Sequence, residues 1–216
     1  MKHRFHMLWK EHRSLLLFVC LMVLFRSVVA DWNTVPTGSM KPTILEGDRI
    51  LVNKMAYDLR LPFRHISLYK RGDPARGEIV IFDSESAGKR LVKRVIGLPG
   101  ELVAMHGNHL WINGEKLTYR DLANTADGLD KIENLLGVEH KVRWLGQETR
   151  LSSFPPVMVP QDHYLVLGDN RDNSADSRVI GFVPRHEIVG RARHVVLSLN
   201  YDNYYLPRTD RFMQRL

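Results

Sequence analysis

Short apolar runs that end in turn-forming residues dominate the chain after residue 47. Six of them predict β-strands, because each alternates or concentrates β-branched and apolar residues between Gly, Pro, Asn or Asp. Their sequences are DRILVNKMAY, GEIVIFDS, KRLVKRVIG, ELVAMHGNHLWINGEKL, HYLVLGD and GRARHVVLSL. Asn113-Gly114, between LWI and EKL, is a strong signal for a tight hairpin. The pattern therefore predicts a mainly β, mostly antiparallel fold.

The middle of the chain, residues 118–150, is more polar than the rest. We expect an inserted lobe or long loop there, within one β domain formed by residues 32–117 and 151–216. Only DGLDKIENLLGV, residues 127–138, has apolar residues at a spacing that would suit a helix.

The N-terminal segment has a basic start and then an apolar run. Leu15–Phe25 contains eleven uncharged residues, Arg26 interrupts the run, and Val28–Ala30 resumes it. Eleven residues are short for a membrane span, which leaves open a buried helix of a soluble protein. A cleavable secretion signal with small residues before a cleavage site at Ala30 also stays open.

Two tryptophans favour a third interpretation, an uncleaved membrane anchor. Trp9 and Trp32 are 23 residues apart, about 35 Å along a helix, which matches the spacing of the aromatic belts of a bilayer. We therefore expect a single transmembrane helix at residues 14–31. The basic residues of segment 1–13 predict a cytoplasmic tail and place the remainder of the chain outside the cytoplasm.

Composition narrows the picture only slightly. The formal charge of +7 suits an acidic partner, either nucleic acid or an anionic membrane surface, or it serves only solubility. One cysteine, Cys20, excludes a disulfide scaffold. The C-terminal NYDNYYLPRTDRFMQRL mixes aromatic and basic residues, which suits either a lipid surface or a packed tail.

The first candidate for chemistry is a serine in TVPTGSMKPTI, residues 34–44. Ser39 follows a glycine, and such a serine is usually a turn residue. It becomes a nucleophile only when a base takes its proton. The ten histidines are scattered, and HGNH at 106–109 lacks the carboxylate or cysteine companion of a metal site. No metal or cofactor is predicted.

Lys93 is the second candidate. Strand alternation in RLVKRVIGLPG puts Leu91, Lys93 and Val95 on one face, so apolar neighbours flank the amine. Burial there would lower its pKa and allow it to act as a base. A solvent-facing lysine that protects an edge strand is the alternative.

The third candidate segment is the polar loop in LVLGDNRDNSADSRVIGFVP, residues 165–184. It lacks the glycine and glutamate that a calcium-binding EF-hand loop has at its sixth and twelfth positions. Two interpretations remain, a solvated turn or a rigid scaffold with an Asp–Arg pair. The residues concerned are Asp172, Ser174, Asp176 and Arg178.

Together, these three segments resemble the bacterial type I signal peptidases, membrane-bound serine proteases that remove signal peptides. TGSMKPTI resembles their Ser-Met-x-Pro-Thr box, KRVIGLPGE their Lys-Arg box, and GDNRDNSADSR with the following GFV their third box. The resemblance extends from about Arg26 to Leu199 and is weak in the insert. It implies a barrel-like antiparallel catalytic domain with one transmembrane helix, no cofactor and no nucleic acid. It also implies preprotein substrates, contact with membrane lipid, a monomer, and a periplasmic-side domain on the bacterial inner membrane.

The resemblance also assigns roles to individual residues. Ser39 matches the nucleophile and Lys93 the general base, and the Ser39 N–H and Thr37 hydroxyl match the oxyanion hole. The residues that match supporting roles are Ser174, which orients the lysine, and Asp176 and Arg178, an ion pair that Arg94 would join. The family binds its substrate as an added β-strand, and the implied pocket for small side chains consists of Val35, Met40, Ile44, Leu91 and Val92.

Two features depart from the family pattern. Thr37 stands where many relatives have serine, and the insert is shorter than in large enterobacterial relatives. Two alternatives therefore stay open: a conjugation-type peptidase that matures a dedicated pilin, and a basic, membrane-anchored binding module without catalysis.

Overall fold

The computed structural model describes residues 2–61, 66–201 and 203–216. The side chains of residues 2–11 and of Leu24 lie outside the described set, and they include most side chains of the predicted basic tail. The described part of the chain contains two α-helices, α1 Lys2–Val28 and α2 Ser177–Ile180.

Most of the remaining regular structure consists of short strands. In chain order they are β1 Ala30–Thr34, β2 Asp48–Asn53, β3 Asp58–Arg60, β4 Ser67–Lys70, β5 Ile79–Ser84, β6 Lys89–Gly97, β7 Leu102–His106, β8 His109–Ile112, β9 Glu115–Lys116, β10 Thr118–Thr125, β11 Gly128–Leu135, β12 Val138–Trp144, β13 Phe154–Met158, β14 His163–Leu167, β15 Val183–Pro184, β16 Ile188–Asn200, β17 Leu206–Pro207 and β18 Gln214–Arg215. The prediction of a mainly β fold is confirmed.

The principal sheet has the strand order β1-β2-β16-β5-β6-β14-β15, and β17 and β18 also pair with the long strand β16. A second sheet has the order β13-β7-β8-β9, and β3 and β4 form a small hairpin. Neighbouring strands in these sheets run antiparallel. All six predicted apolar runs contribute strands to them.

The Asn-Gly signal is confirmed at the β8–β9 hairpin. Asn113 and Gly114 both have positive φ, 52° and 83°, as a two-residue hairpin turn of this kind requires. The turn reverses the chain so that Trp111 pairs with Lys116.

The principal sheet is buried on both faces at its centre. Along β5, Ile79 and Ile81 pack into one apolar cluster, whereas Val80 and Phe82 pack into another. Because neither face meets water, this strand has a continuous apolar sequence instead of a clean alternation.

The polar insert contains ordered strands. Residues 118–144 form a three-stranded antiparallel sheet with the order β10-β11-β12, so the helix-like spacing in residues 127–138 was misleading. Two positive-φ residues, Leu136 and Gly137, connect β11 to β12. The buried residues of β11 include Asp130 and Glu133, and burial of charged residues cannot be read from hydrophobic periodicity.

The predicted anchor, residues 14–31, extends past the end of the helix. Helix α1 ends at Val28, and Ala30 and Asp31 already belong to β1. Among the described residues, no helix combines the length and the apolarity that crossing a membrane requires.

Candidate active site

Ser39 lies in a short 3-10 turn, Gly38–Met40, that follows β1. Two fully buried apolar side chains, Val35 and Met40, hold the turn from either end. Ser39 itself remains half-buried at the protein surface. The sequence around the serine therefore anchors a turn and leaves its hydroxyl accessible from one side.

Lys93, on β6, contacts the Ser39 hydroxyl. Its Nζ lies 2.7 Å from Ser39 Oγ and also donates a hydrogen bond to the Val92 carbonyl, at 3.0 Å. Only 2% of the lysine is exposed, so the alternative of a solvent-facing edge lysine is wrong. The strand thus brings an amine, 54 residues away in sequence, into contact with the serine.

The surroundings of Lys93 favour its neutral form. Burial lowers the pKa of the Lys93 amine to about 8, although the charges of Asp176 and Asp169 oppose this. Lys89 and Arg178 contribute smaller repulsions that lower the pKa further. An amine of this kind is neutral in a useful fraction of molecules near neutral pH and can accept a proton.

The predicted Asp–Arg pair, Asp176 and Arg178, forms in the loop that follows β14. Arg178 donates to both carboxylate oxygens of Asp176, at 2.8 and 2.6 Å, and Asp176 accepts the Gly168 N–H at 2.9 Å. Asp176 also caps helix α2. A buried carboxylate with this many donors is held rigidly, so the loop behaves as a scaffold and not as a solvated turn.

Arg94 has a different partner from the one that the resemblance suggested. Its guanidinium binds Asp169 through two hydrogen bonds, at 2.8 and 2.7 Å, and both groups are buried. Sequence reasoning did not single out Asp169. The available signal was its position two residues after Leu167, the cross-strand partner of Arg94.

Asn170 is a second residue that sequence reasoning missed. Its backbone N–H donates to the Ser39 carbonyl at 3.1 Å, and its side-chain amide donates to the Gly38 carbonyl at 3.0 Å. Asn170 therefore fixes the backbone of the nucleophile turn from behind, which determines where the Ser39 N–H and Oγ point.

Ser174 and Thr37 lie near the dyad without fixed partners. Ser174 Oγ is buried and has no hydrogen-bond partner in the described part of the chain, so the bond to Lys93 that the resemblance implied is not formed in this structure. The Thr37 side chain is exposed, makes no capping hydrogen bond to the turn, and lines the cleft beside Ser39.

An open cleft of about 470 Å³ leads to the dyad. Four of the five predicted pocket residues line it: Val35, Met40, Leu91 and Val92. Ile44 does not, because it is fully buried in the apolar cluster beneath the cleft.

Two strand edges face this cleft. Strand β1 ends the principal sheet and pairs only with β2 within the described residues. Strand β6 pairs with β14 only from Arg94 to Gly97, so the second edge of residues 89–93 pairs with no strand in the described part of the chain. An extended peptide placed between these edges would find backbone donors and acceptors on both sides.

A group of possible metal ligands lies elsewhere. In the residues that the structure describes, Glu85, His186 and Glu187 place ligand atoms within 4.8 Å of one another. None of the three lines the cleft, so the dyad and this group are separate features.

Comparison with known proteins agrees with the geometry. The sequence model of the family described as "Signal peptidase, peptidase S26" matches residues 8–197. Signal peptidase I of Pseudomonas fluorescens is 38% identical over 198 residues, covering 84% of this chain and 69% of the relative. Signal peptidase I of Bacillus amyloliquefaciens is 33% identical over 196 residues, covering 90% of this chain and 88% of the relative.

Among solved structures, a signal peptidase I from Enterococcus faecalis V583 matches with 31% identity and a TM-score of 0.36. The match covers 55% of this chain and 96% of that structure. The family match extends from α1 through the three boxes to β16, and each of the two relatives covers more than four fifths of the chain. The chain belongs to the signal peptidase family, peptidase S26.

Proposed function

We propose that this protein cleaves signal peptides from exported preproteins and that Ser39 and Lys93 carry out the reaction as a dyad. The observation that carries the proposal is the 2.7 Å contact between a nearly inaccessible lysine amine and a serine hydroxyl at the end of an open cleft. This contact supplies the base that an isolated serine lacks.

Bond cleavage would proceed in two steps. Neutral Lys93 takes the proton of Ser39 as its Oγ attacks the carbonyl carbon at the cleavage site, and the protonated amine then donates that proton to the departing nitrogen. Water, with Lys93 again as base, hydrolyses the acyl-enzyme ester. In this proposal the Ser39 N–H and the Thr37 hydroxyl stabilise the oxyanion, and donors of this type contribute on the order of 3 kcal/mol each.

Substrate binding would use the two unpaired strand edges described above. The residues before the cleavage site would lie extended between β1 and residues 89–93 of β6. The apolar lining from Val35, Met40, Leu91 and Val92 suits small apolar side chains such as alanine. Since the dyad and both edges belong to one chain, we propose that the monomer is active.

Location at the membrane is part of the proposal. The described large apolar side chains between Leu15 and Phe25 are 43% to 61% exposed on α1, a surface that suits lipid. At its end, Arg26 pairs with Asp31 at 2.7 Å and lies 4.8 Å from the centre of the Trp32 ring, as basic and aromatic residues do at a bilayer interface. We propose a single pass through the bacterial inner membrane, with a cytoplasmic N-terminus and the catalytic domain outside the cytoplasm.

The dyad leads to a direct test of the function. Ser39→Ala and Lys93→Met should each lower the rate of preprotein cleavage by three orders of magnitude or more, because each removes one partner of the proton transfer. Lys116→Met, at an exposed lysine of β9, should retain the wild-type rate. Cleavage is measured on several ordinary preproteins and one pilin precursor. Substantial activity in either dyad variant contradicts the mechanism, and cleavage of the pilin precursor alone contradicts the substrate class.

Gly168 gives a second test, based on packing. A Cβ there would lie 2.2 Å from Ser174 Oγ and 2.4 Å from the Ser39 carbonyl oxygen, a backbone atom that cannot turn aside. Gly168→Ala should therefore displace the nucleophile turn and lower kcat by about 100-fold or more. Gly146→Ala, where a Cβ meets no atom within 4 Å, is the matched control. Equal kcat values for the two variants would show that the close approach at Gly168 is unimportant.

The membrane proposal is tested by flotation with vesicles of phosphatidylethanolamine and phosphatidylglycerol. The full-length protein should float with the lipid, whereas the double variant Leu17→Asp/Leu21→Asp should not, because each aspartate near a helix centre costs about 3 kcal/mol in a bilayer. Leu68→Asp, at an exposed leucine of β4, should float normally. Flotation of the double variant would contradict insertion of α1.

A further inference from the structure

A buried ion pair joins the inserted sheet to the active-site loop. Arg171, two residues after Asp169, donates two hydrogen bonds to Glu133 of β11, at 2.7 and 2.6 Å. Both side chains have 0% exposure. Burial alone would raise the pKa of the Glu133 carboxyl group, but the Arg171 guanidinium and His140 together more than offset it, so this pKa lies well below its usual range.

Further contacts from the insert fix the position of Glu133. The Tyr119 hydroxyl of β10 donates to its Oε2 at 2.6 Å, and His140 Nε2 of β12 lies 3.3 Å from its Oε1. All three strands of the inserted sheet therefore contribute to one carboxylate site. For Arg171 the dependence is strong, because within the described residues its guanidinium has no side-chain acceptor other than Glu133.

The segment Asp169–Arg171 is bound on two sides. On the insert side, Arg171 N–H donates to the Arg143 carbonyl at 2.9 Å, and Arg143 N–H donates to the Asp169 carbonyl at 2.8 Å. On the other side, Asn170 holds the two carbonyls of the nucleophile turn. Every bond in this path, from β12 through the segment to the turn at Ser39, involves buried or half-buried groups.

We propose that Glu133 is a positioning residue for catalysis: by holding Arg171 it sets the segment Asp169–Arg171 against the turn that carries Ser39. The inserted sheet then helps to position the active site and is not an accessory lobe. This inference rests on the proposed Ser39–Lys93 dyad. It differs from a purely structural role, in which Glu133 would stabilise the insert without affecting the chemistry of correctly folded molecules.

The two roles predict different kinetics. If Glu133 positions the turn, its loss shifts the Ser39 Oγ and N–H, and the rate of each folded active site falls. Binding along the cleft edges is unchanged, so KM stays the same. The pH dependence should change little, because burial is the largest cause of the lowered Lys93 pKa and Glu133 is not among its causes. If Glu133 only stabilises the fold, fewer molecules are active but each works at the normal rate.

The experiment compares Glu133→Gln with Asp121→Asn in the full-length protein. Asp121 pairs with Lys131 on the exposed part of the same sheet, so the control also removes one ion pair from the insert. Active sites are counted by stoichiometric labelling of Ser39 with a penem-type acylating inhibitor, and kcat is expressed per labelled site. Glu133→Gln should lower this kcat about 10- to 100-fold, with KM and the pH midpoint unchanged, whereas Asp121→Asn should stay within about twofold of wild type.

The proposal is overturned if Glu133→Gln has the wild-type kcat per labelled site, or if Asp121→Asn loses as much. If the Glu133→Gln variant fails to fold, Glu133→Asp is judged by the same criteria. Aspartate keeps the negative charge, but its side chain is one methylene group shorter. A per-site loss of at least about fivefold then supports positioning, and an unchanged rate overturns it. Failure of the dyad itself is distinguishable, because the inhibitor would then not label Ser39 in the wild-type protein.

Discussion

The proposed chemistry depends on keeping one lysine amine out of water. A lysine in water is charged at neutral pH and cannot accept a proton, so the fold must remove the water and also prevent nearby carboxylates from restoring the charge. Lys93 is buried in the sheet, and the two acids near it, Asp169 and Asp176, are each bound by an arginine. These ion pairs reduce the attraction of the acids for the lysine and also make the loop rigid.

Strand β6 combines the two requirements of the site. Its second half pairs with β14 and is buried, whereas residues 89–93 have one free edge in the cleft. Lys93 lies at the junction between these halves. The core can therefore exclude water from the Lys93 side chain. The backbone next to it remains available to an extended substrate. Two arginine-bound acids fix the loop that carries Asn170, and Asn170 holds the serine turn.

Local patterns predicted the strands well, because most of their apolar residues face the core of the sheet and Asn113-Gly114 forms the expected hairpin. The same patterns left two possibilities for Lys93, since alternation cannot show which face of a strand is buried. Local patterns made Ser39 and Lys93 candidates, and the resemblance of three short motifs to a known family assigned their roles. Asp169, Asn170 and Glu133 escaped prediction because their burial depends on partners 75, 132 and 38 residues away in sequence.

The central claim is most directly tested by titration of the Lys93 amine in the full-length protein. Nuclear magnetic resonance of protein with ¹⁵N-labelled lysine side chains, with the signal assigned by its loss in Lys93→Met, reports the protonation of this one group. The account predicts a midpoint at about pH 8. A midpoint near the ordinary lysine value of about 10.4 would show that the amine is solvated and would contradict its role as the base.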